Sequence, residues 1–390
     1  MHRTPLLLLP LSLALAACTA TPVPTARPAP GMVASGNHHS LVLHGGRVYA
    51  AGEDKYGQRG QGTAGAEVNA AFAAVPGLPQ ITRVYASSGG NHNLALGADG
   101  AAYGWGWNNL GQVGVGTRGS NVYTPQKLGV PALRGAALGT GHTLAAGQDG
   151  RVYAWGRNTL GQLGTGDTAE RLTPTPLPGL EGVREVASGI NHGVALTRGG
   201  EVYTWGSNSY GQIGNGARAT GTSGAVPTPF KVPLPAPARA VAAGNHNTFA
   251  ILEGGELYAW GDNTLGLLGD GTTEHRPAPT RIGAVQGAAL IDSGARHTLA
   301  LLEDGRVLAW GDNEVGQLGN GASGDGQGRL TPQAVALPGP AADLSVGTNH
   351  NLIRLRDGRT LGFGSNGQGR LAQPAGTALV TLPTTLGVTP

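Results

Sequence analysis

A short motif, Gly-x-x-His, recurs at Gly36, Gly89, Gly139, Gly189, Gly294 and Gly347, and a seventh copy starts at Gly244 with Asn247 in the histidine position. Successive glycines lie 53, 50, 50, 55, 50 and 53 residues apart. Seven copies at a period near 50 constrain the fold more than any other property of the chain. Units of that size cannot bury their apolar surface alone and must stack on one another. A length of 390 residues would otherwise suggest two or three unrelated domains.

The unit is regular inside. Thirteen residues after His92, His142, His192, Asn247 and His297 stand Trp105, Trp155, Trp205, Trp260 and Trp310, and His350 is followed at the same distance by Phe363. The first unit, with His39, has a turn one residue shorter at His44-Gly45-Gly46 and carries Ala51 in the tryptophan slot. Six residues beyond each of these slots is a glycine: Gly57, Gly111, Gly161, Gly211, Gly266, Gly316 and Gly369. Within the fourth unit, "REVAS", "HGVALT", "EVYTWGS" and "PTPFKVP" read as four strands, with "RGG" as a hairpin between the second and third. Neither inner strand has a clean polar face, as expected of a sheet covered on both sides. The 69 glycines show no Gly-X-Y triplet, so they read as turn residues. These features predict an all-β fold, a seven-bladed β-propeller of four-stranded antiparallel blades. The Pro-containing segment Leu382 to Val388 is expected to close the ring by pairing with the N-terminal strand.

The pattern resembles a known repeat. His142-Thr143-Leu144, Trp155-Gly156-Arg157-Asn158 and Gly161-Gln162-Leu163-Gly164 look like the repeat of the regulator of chromosome condensation family, and the resemblance runs from about residue 32 to 388. It implies a seven-bladed propeller. It also implies two precedents for function. One is a eukaryotic chromatin-bound nucleotide exchange factor for a small GTPase. The other is an exported bacterial branch, the β-lactamase inhibitor proteins of type II, which bind through aromatic-rich loops on one face.

The N-terminus favours export. Arg3 precedes an apolar run, Leu6 to Ala17, too short to span a bilayer, and Leu15-Ala16-Ala17-Cys18 resembles a bacterial lipobox. Cys18 is the single cysteine, and lipidation gives it a role. Residues 1–17 are read as a lipoprotein signal peptide and 18–31 as a Pro/Thr/Ala tether, leaving 32–390 for the propeller. In polyproline II the tether reaches on the order of 40 Å. The expected location is the bacterial membrane or cell surface, or the exterior if Cys18 is not acylated. Contact with the membrane is expected through the N-terminal lipid only. The net charge of +3 is scattered, which gives no nucleic-acid footprint.

The repeated residues read as architecture. Histidines related by seven-fold rotation diverge, whereas a metal needs converging ligands. His39, His92, His142, His192, His297 and His350 are expected to satisfy strand-end backbone groups, with Asn247 performing the same task. The five tryptophans are expected to pack between blades, and the Gly and Gln of the loop Gly-Gln pairs to set turn geometry and bond backbone groups of the loop. Asp262-Asn263 and Asp312-Asn313 read as solvated loop rather than calcium ligands, so no metal and no cofactor is expected. No P-loop, G-x-S-x-G or H-E-x-x-H motif is present.

Departures from the repeat are where function is sought. Trp107 occupies a slot read as Asp54, Arg157, Ser207, Asp262, Asp312 and Ser365 in the other units, and suggests an exposed interface anchor. Tyr56, Tyr210, Tyr123 and Phe72, the last in a long loop from Gln61 to Val75, complete the candidate binding set. The expectation is a monomeric, non-catalytic scaffold whose ligand is a protein or an envelope glycan. A propeller hydrolase or lyase with a site near the central channel, and an exchange-factor-like regulator, are the alternatives.

Overall fold

In each repeat the chain runs outward from the axis of a ring, one strand after the next. Blade 4 shows why. Its strands are Val183–Ser188, His192–Thr197, Val202–Gly206 and Val226–Lys231. The second is buried at every position because neighbouring blades cover both its faces. The fourth is half exposed and carries Pro227 and Pro229, which a strand tolerates at an edge where no N–H is needed. Gly200 closes the hairpin between the second and third strands at φ +82°.

The structure is a computed structural model that describes residues 31–63, 65–219, 224–374 and 376–388. Cys18, the apolar leader and all but the last residue of the tether lie outside these. Seven four-stranded antiparallel sheets, built from residues 33–74, 81–127, 133–176, 183–231, 238–286, 288–335 and 341–385, form the blades of an all-β propeller. Among the described residues no helix is long and apolar enough to cross a membrane.

Closure differs from the expectation. The C-terminal strand Leu379–Thr385 pairs with Thr360–Ser365 of its own blade, and Val33–Ser35 pairs with His39–His44 of the first. Every blade is one uninterrupted stretch of chain. With four strands already supplied to both terminal blades, no strand is left to exchange. Blades 7 and 1 are joined instead by side chains. Asp343 Oδ2 accepts from Gly31 N at 3.1 Å and Met32 N at 2.8 Å, Ser345 Oγ accepts from Ser35 N at 2.9 Å, and Ser35 Oγ donates to Ser345 O at 3.1 Å.

The core is divided among six clusters placed between blades. The five tryptophans are fully buried there. Each is held by one hydrogen bond as well as by packing. Trp105 Nε1 donates to Gln58 O at 3.0 Å; Trp155, Trp205 and Trp260 donate to Gln112 O, Gln162 O and Gln212 O at 2.9 Å; Trp310 donates to Leu267 O at 2.8 Å. The acceptor belongs to the preceding blade in every case. In four of the five seams the same carbonyl takes a second donor, from the residue after the motif histidine or its equivalent: Asn93 Nδ2, Thr143 Oγ1, Thr248 Oγ1 and Thr298 Oγ1, at 2.8–2.9 Å.

The histidines work beside this carbonyl. Their partners are side chains of the next blade, not the strand-end backbone groups expected from the repeat. Nε2 meets Asn93 Oδ1 (His39, 2.6 Å), Thr143 Oγ1 (His92, 3.0 Å), Ser188 Oγ (His142, 2.9 Å), Thr248 Oγ1 (His192, 3.1 Å), Asn351 Oδ1 (His297, 2.7 Å) and Ser40 Oγ (His350, 3.0 Å). Thr143 and Thr248 spend their hydroxyl hydrogens on Gln112 O and Gln212 O, so His92 and His192 donate from Nε2–H and leave Nδ1 unprotonated. The motif glycine makes room for the ring. A Cβ on Gly139 would lie 2.1 Å from His142 Cε1 and 2.4 Å from Nδ1.

Asn247 does not do the same task. Its terminal atoms extend only as far as a histidine's Nδ1, whereas the bond is made from Nε2. Both polar atoms of its side chain are buried with no hydrogen-bond partner among the described residues, and Ser293 Oγ bonds Thr298 Oγ1 of its own blade at 2.9 Å instead. The motif glycine, Gly244, is retained, and Ser293 stands where Ser188 receives His142. Asn247→His is therefore expected to raise unfolding free energy by about 1 kcal/mol, measured by urea titration.

Burial pushes His92, His142 and His192 down to about 3 and His39 and His297 to about 4, and holds His350 well below its ordinary value. The unfolded chain protonates all six near pH 6.5. Their contribution to stability is thus complete above that pH and is lost as pH falls toward the folded-state values. Asp292 and Asp343, pushed up to about 7 by burial, act in the opposite sense between pH 3.8 and 7. Six imidazoles outweigh two carboxyls, so unfolding near pH 5 takes up protons. The urea midpoint is expected to fall steadily from pH 6.5 to pH 4.

Candidate functional site

The loops joining first to second strands and third to fourth strands emerge on one face of the ring. Backbone bonds tie each pair together: Glu53 N to His38 O at 3.0 Å, Trp107 N to Asn91 O at 2.9 Å, Arg157 N to Gly141 O at 2.8 Å. This register corrects one alignment. The residue equivalent to Trp107 in blade 1 is Glu53, not Asp54, because the shorter first hairpin shifts the count by one. Asp54 takes the place of the loop asparagine. Its Oδ1 accepts from Arg59 N at 2.8 Å, as Asn158 Oδ1 accepts from Leu163 N at 3.0 Å and Asn313 Oδ1 from Leu318 N at 2.9 Å. The Gln side chains brace the same loops: Oε1 of Gln58, Gln112, Gln162, Gln212 and Gln317 each accepts the N–H two residues earlier, at 2.8–2.9 Å.

Three of the five candidate binding residues come together where blade 1 meets blade 2. The rings of Tyr56 and Trp107 lie 6.2 Å apart, tilted at 50°. Tyr123, 36% exposed, rests against Gly57, where a Cβ would come within 2.6 Å of its ring. Lys55 Nζ stands 5.3 Å from the Tyr56 ring centroid. Trp107 is half-buried rather than fully exposed, since Tyr56 covers one side. The cluster is a ledge of amphipathic rings with a cation at its edge, suited to stacking and hydrogen bonding with a partner.

Tyr210 belongs to a separate group at the junction of blades 4 and 5. Its ring lies 4.8 Å from that of His246 and 5.3 Å from that of His275. His275 Nδ1 is 3.2 Å from Asp262 Oδ1. Phe72 leaves the candidate set. It sits on the fourth strand of blade 1, Gly65–Ala74, and is buried with Ala51, Phe363 and Leu371 in the core of the closing seam. Ala51 supplies no indole there, and Phe72 contributes apolar bulk to the same cluster. Ala372, at φ +50°, replaces the glycine that faces the indole in other seams. Arg370 replaces the glutamine, is 5% exposed, donates to Asn37 O at 3.1 Å, and is lowered to about 10 by burial.

Asp312 is paired with Arg296 at 2.6 Å. Among the described residues no three His, Cys, Asp or Glu side chains converge. Ser188 and Ser40 touch histidine Nε2 atoms, but no third group bonds His142 Nδ1 or His350 Nδ1 among the described residues, and Thr or Asn fills the same position in other seams. These contacts are repeated inter-blade links, not a nucleophile and base.

Fold and face together define a closed seven-bladed ring that presents loops. The chain belongs to the RCC1-like domain family: residues 130–388 match that domain, and residues 84–112 and 99–146 match the regulator of chromosome condensation (RCC1) repeat. Over 86 residues it is 42% identical to the ultraviolet-B receptor UVR8 of Arabidopsis thaliana, covering 22% of this chain and 19% of that protein. Over 113 residues it is 35% identical to the probable E3 ubiquitin-protein ligase HERC6 of Homo sapiens, covering 28% and 11%. The matched segments thus span about a fifth or less of these relatives. Among solved structures, yeast RCC1 (Prp20) bound to Kap60 superposes with TM-score 0.72 at 25% identity, over 81% of this chain and 78% of that one. Human WBSCR16 shares the fold at TM-score 0.71 and 23% identity, over 82% and 85%.

The two tryptophans of blade 2, two residues apart, separate folding from surface chemistry. Trp105→Ala is expected to cost about 3–5 kcal/mol, as for a fully buried aromatic. Trp107→Ala is expected to cost less than about 1 kcal/mol. Urea titration of both variants checks the contrast.

Proposed function

We propose that this protein is a lipid-anchored, extracytoplasmic binding scaffold that acts without catalysis and recognises a protein or envelope glycan through the ledge formed by Tyr56, Trp107 and Tyr123. The observation that carries this reading is the juxtaposition of three partly accessible aromatics, from two blades, on the loop face. Trp and Tyr supply contact area at low entropic cost and dominate interface energetics. The lipobox-like segment ending at Cys18 supports export and anchoring. A narrower form of the same reading is inhibition of an envelope enzyme, in the manner of the β-lactamase inhibitor proteins of type II.

A second reading follows from the likeness to yeast RCC1: an exchange-factor-like regulator of a small GTPase. The leader segment favours the first reading, because it directs the chain away from the cytoplasm.

Two measurements test the proposal. Palmitate should label the wild type and not Cys18→Ser, with the wild type in the membrane fraction. Affinity capture from envelope extract should recover a partner with the wild type and lose at least tenfold of it with Trp107→Ala. Equal recovery by both proteins would remove the ledge from the account. Unlabelled cytoplasmic protein that accelerates nucleotide release from a GTPase would replace the scaffold with the regulator.

A further inference from the structure

The first strands of the seven blades surround the axis. At one register position they carry alanine in four blades, Ala34, Ala137, Ala187 and Ala242. Tyr85, Asp292 and Ser345 take that position in the other three. The four alanines and the serine leave an axial cavity of about 840 Å³, within the range of small-molecule sites.

One end of this cavity is shut by loop tips. A Cβ on Gly89 would lie 2.8 Å from Thr140 Oγ1, 3.5 Å from Ile190 Cγ1 and 3.9 Å from Asn245 Oδ1, atoms of three successive blades. Ile190 N donates to Asn245 O at 3.1 Å. Thr348 Oγ1 reaches across blade 1 to Ser88 O and contacts Asn37 Oδ1 at 2.8 Å. Loops from six of the seven blades therefore meet over the axis, and the space is a cup. Its lining runs at the other end to Gly31, Gly97, Gly100 and Gln148, where first strands begin and the second-to-third hairpins turn.

Arg83, Arg134 and Arg184, from three consecutive blades, line this cup. Arg83 donates to Arg134 O. Arg134 Nε and Nη2 donate to Gly147 O at 3.0 Å and Gln148 O at 2.8 Å, and Arg184 Nη2 donates to Ala238 O at 3.1 Å. Carbonyl contacts fix each guanidinium in place while spending only part of its five N–H groups. Arg184 Nε is buried with no hydrogen-bond partner among the described residues. The acids nearby offset the charge of the set only in part, although Glu185 and Asp292 line the same cup. Glu253 is 4.0 Å from Arg184, Glu185 is its chain neighbour, and Asp292 already accepts from Ser293 N and Val346 N at 2.9 and 2.8 Å. Neither Arg83 nor Arg134 pairs with a carboxylate among the described residues.

We propose that the axial cup is a binding site for a small organic anion, a carboxylate or phosphate, gripped by Arg83, Arg134 and Arg184. Fixed guanidinium forks match the planar or tetrahedral oxygens of such groups. The site faces away from the aromatic ledge and is independent of it.

Calorimetric titration of the full chain with citrate, inorganic phosphate and glucose tests the proposal. One equivalent of citrate or phosphate should bind saturably and raise Tm, and glucose should not. The better anion shows whether the natural group is a carboxylate or a phosphate. Arg134→Met, whose guanidinium bonds only its own hairpin, should keep the wild-type Tm without ligand and raise Kd at least tenfold. Ala187→Phe, which fills the cup, should abolish binding, whereas Trp107→Ala should leave it unchanged. Absence of binding by both anions, equal binding of glucose, or wild-type affinity in Arg134→Met would overturn the proposal.

Discussion

In five of its seven seams the ring rests on one backbone carbonyl that accepts an indole N–H. In the seam of blades 6 and 7 Gln317 O accepts from Asn351 Nδ2 instead. The indole's acceptor in blades 1 to 4 is the glutamine after the loop glycine, and in blade 5 it is Leu267, in the same slot. The carbonyl sits at a seam between blades, where water cannot satisfy it, and accepts an indole N–H from the next blade. Most seams add a second donor beside the histidine. A buried carbonyl with two lone pairs is costly when unpaired and directional when paired. Packing alone would let neighbouring sheets slide, and this bond sets their register. The side-chain identity of the acceptor does not matter, which is why leucine can replace glutamine in blade 5 without loss of the bond.

The closing seam solves the same problem differently. Blade 1 brings Ala51 in place of an indole, so the usual donor is missing. Three changes accompany it: Phe72 joins the core, Ala372 replaces the facing glycine, and Arg370 bridges to Asn37 O. The inner strands add Asp343 and Ser345, which take up N–H groups of the entering chain. A buried arginine and a buried carboxyl are expensive places to put charge. Here each is met by backbone partners. Closure is thus a matter of side-chain bonds between two complete sheets.

Much of this architecture was legible in the sequence. Seven units, four strands per unit and the four strand positions in blade 4 follow from the Gly-x-x-His and Trp-Gly spacings. What escaped was phase and partner. Leu382 to Val388 resembles every other fourth strand because it is one, and only the sheet pairing shows that blade 1 has no gap for it. The slip between Asp54 and Glu53 came from one missing residue in a hairpin, which shifts each later slot of that unit. Five of the six polar partners of the histidines were visible as a column, Ser40, Asn93, Thr143, Thr248 and Asn351, directly after the motif; Ser188, at the end of a first strand, was not. Their small polar character was the available signal. At the candidate ledge, Trp107, Tyr56 and Tyr123 stood out as departures from the repeat, but their contact depends on a blade boundary that sequence spacing does not reveal. Phe72 showed the limit of that approach: a departure from the repeat can equally be a repair within the core.

The place where the chain enters the ring has a geometric corollary. Gly31 lies against Arg83, among the first-strand beginnings and hairpins, while Trp107 stands on the opposite side. Under the proposed anchoring, the tether joins the ring on its hairpin side. The aromatic rings then lie on the side away from the junction, and the arginines on the side nearest it. A chain entering on one side makes the two faces of the disc inequivalent.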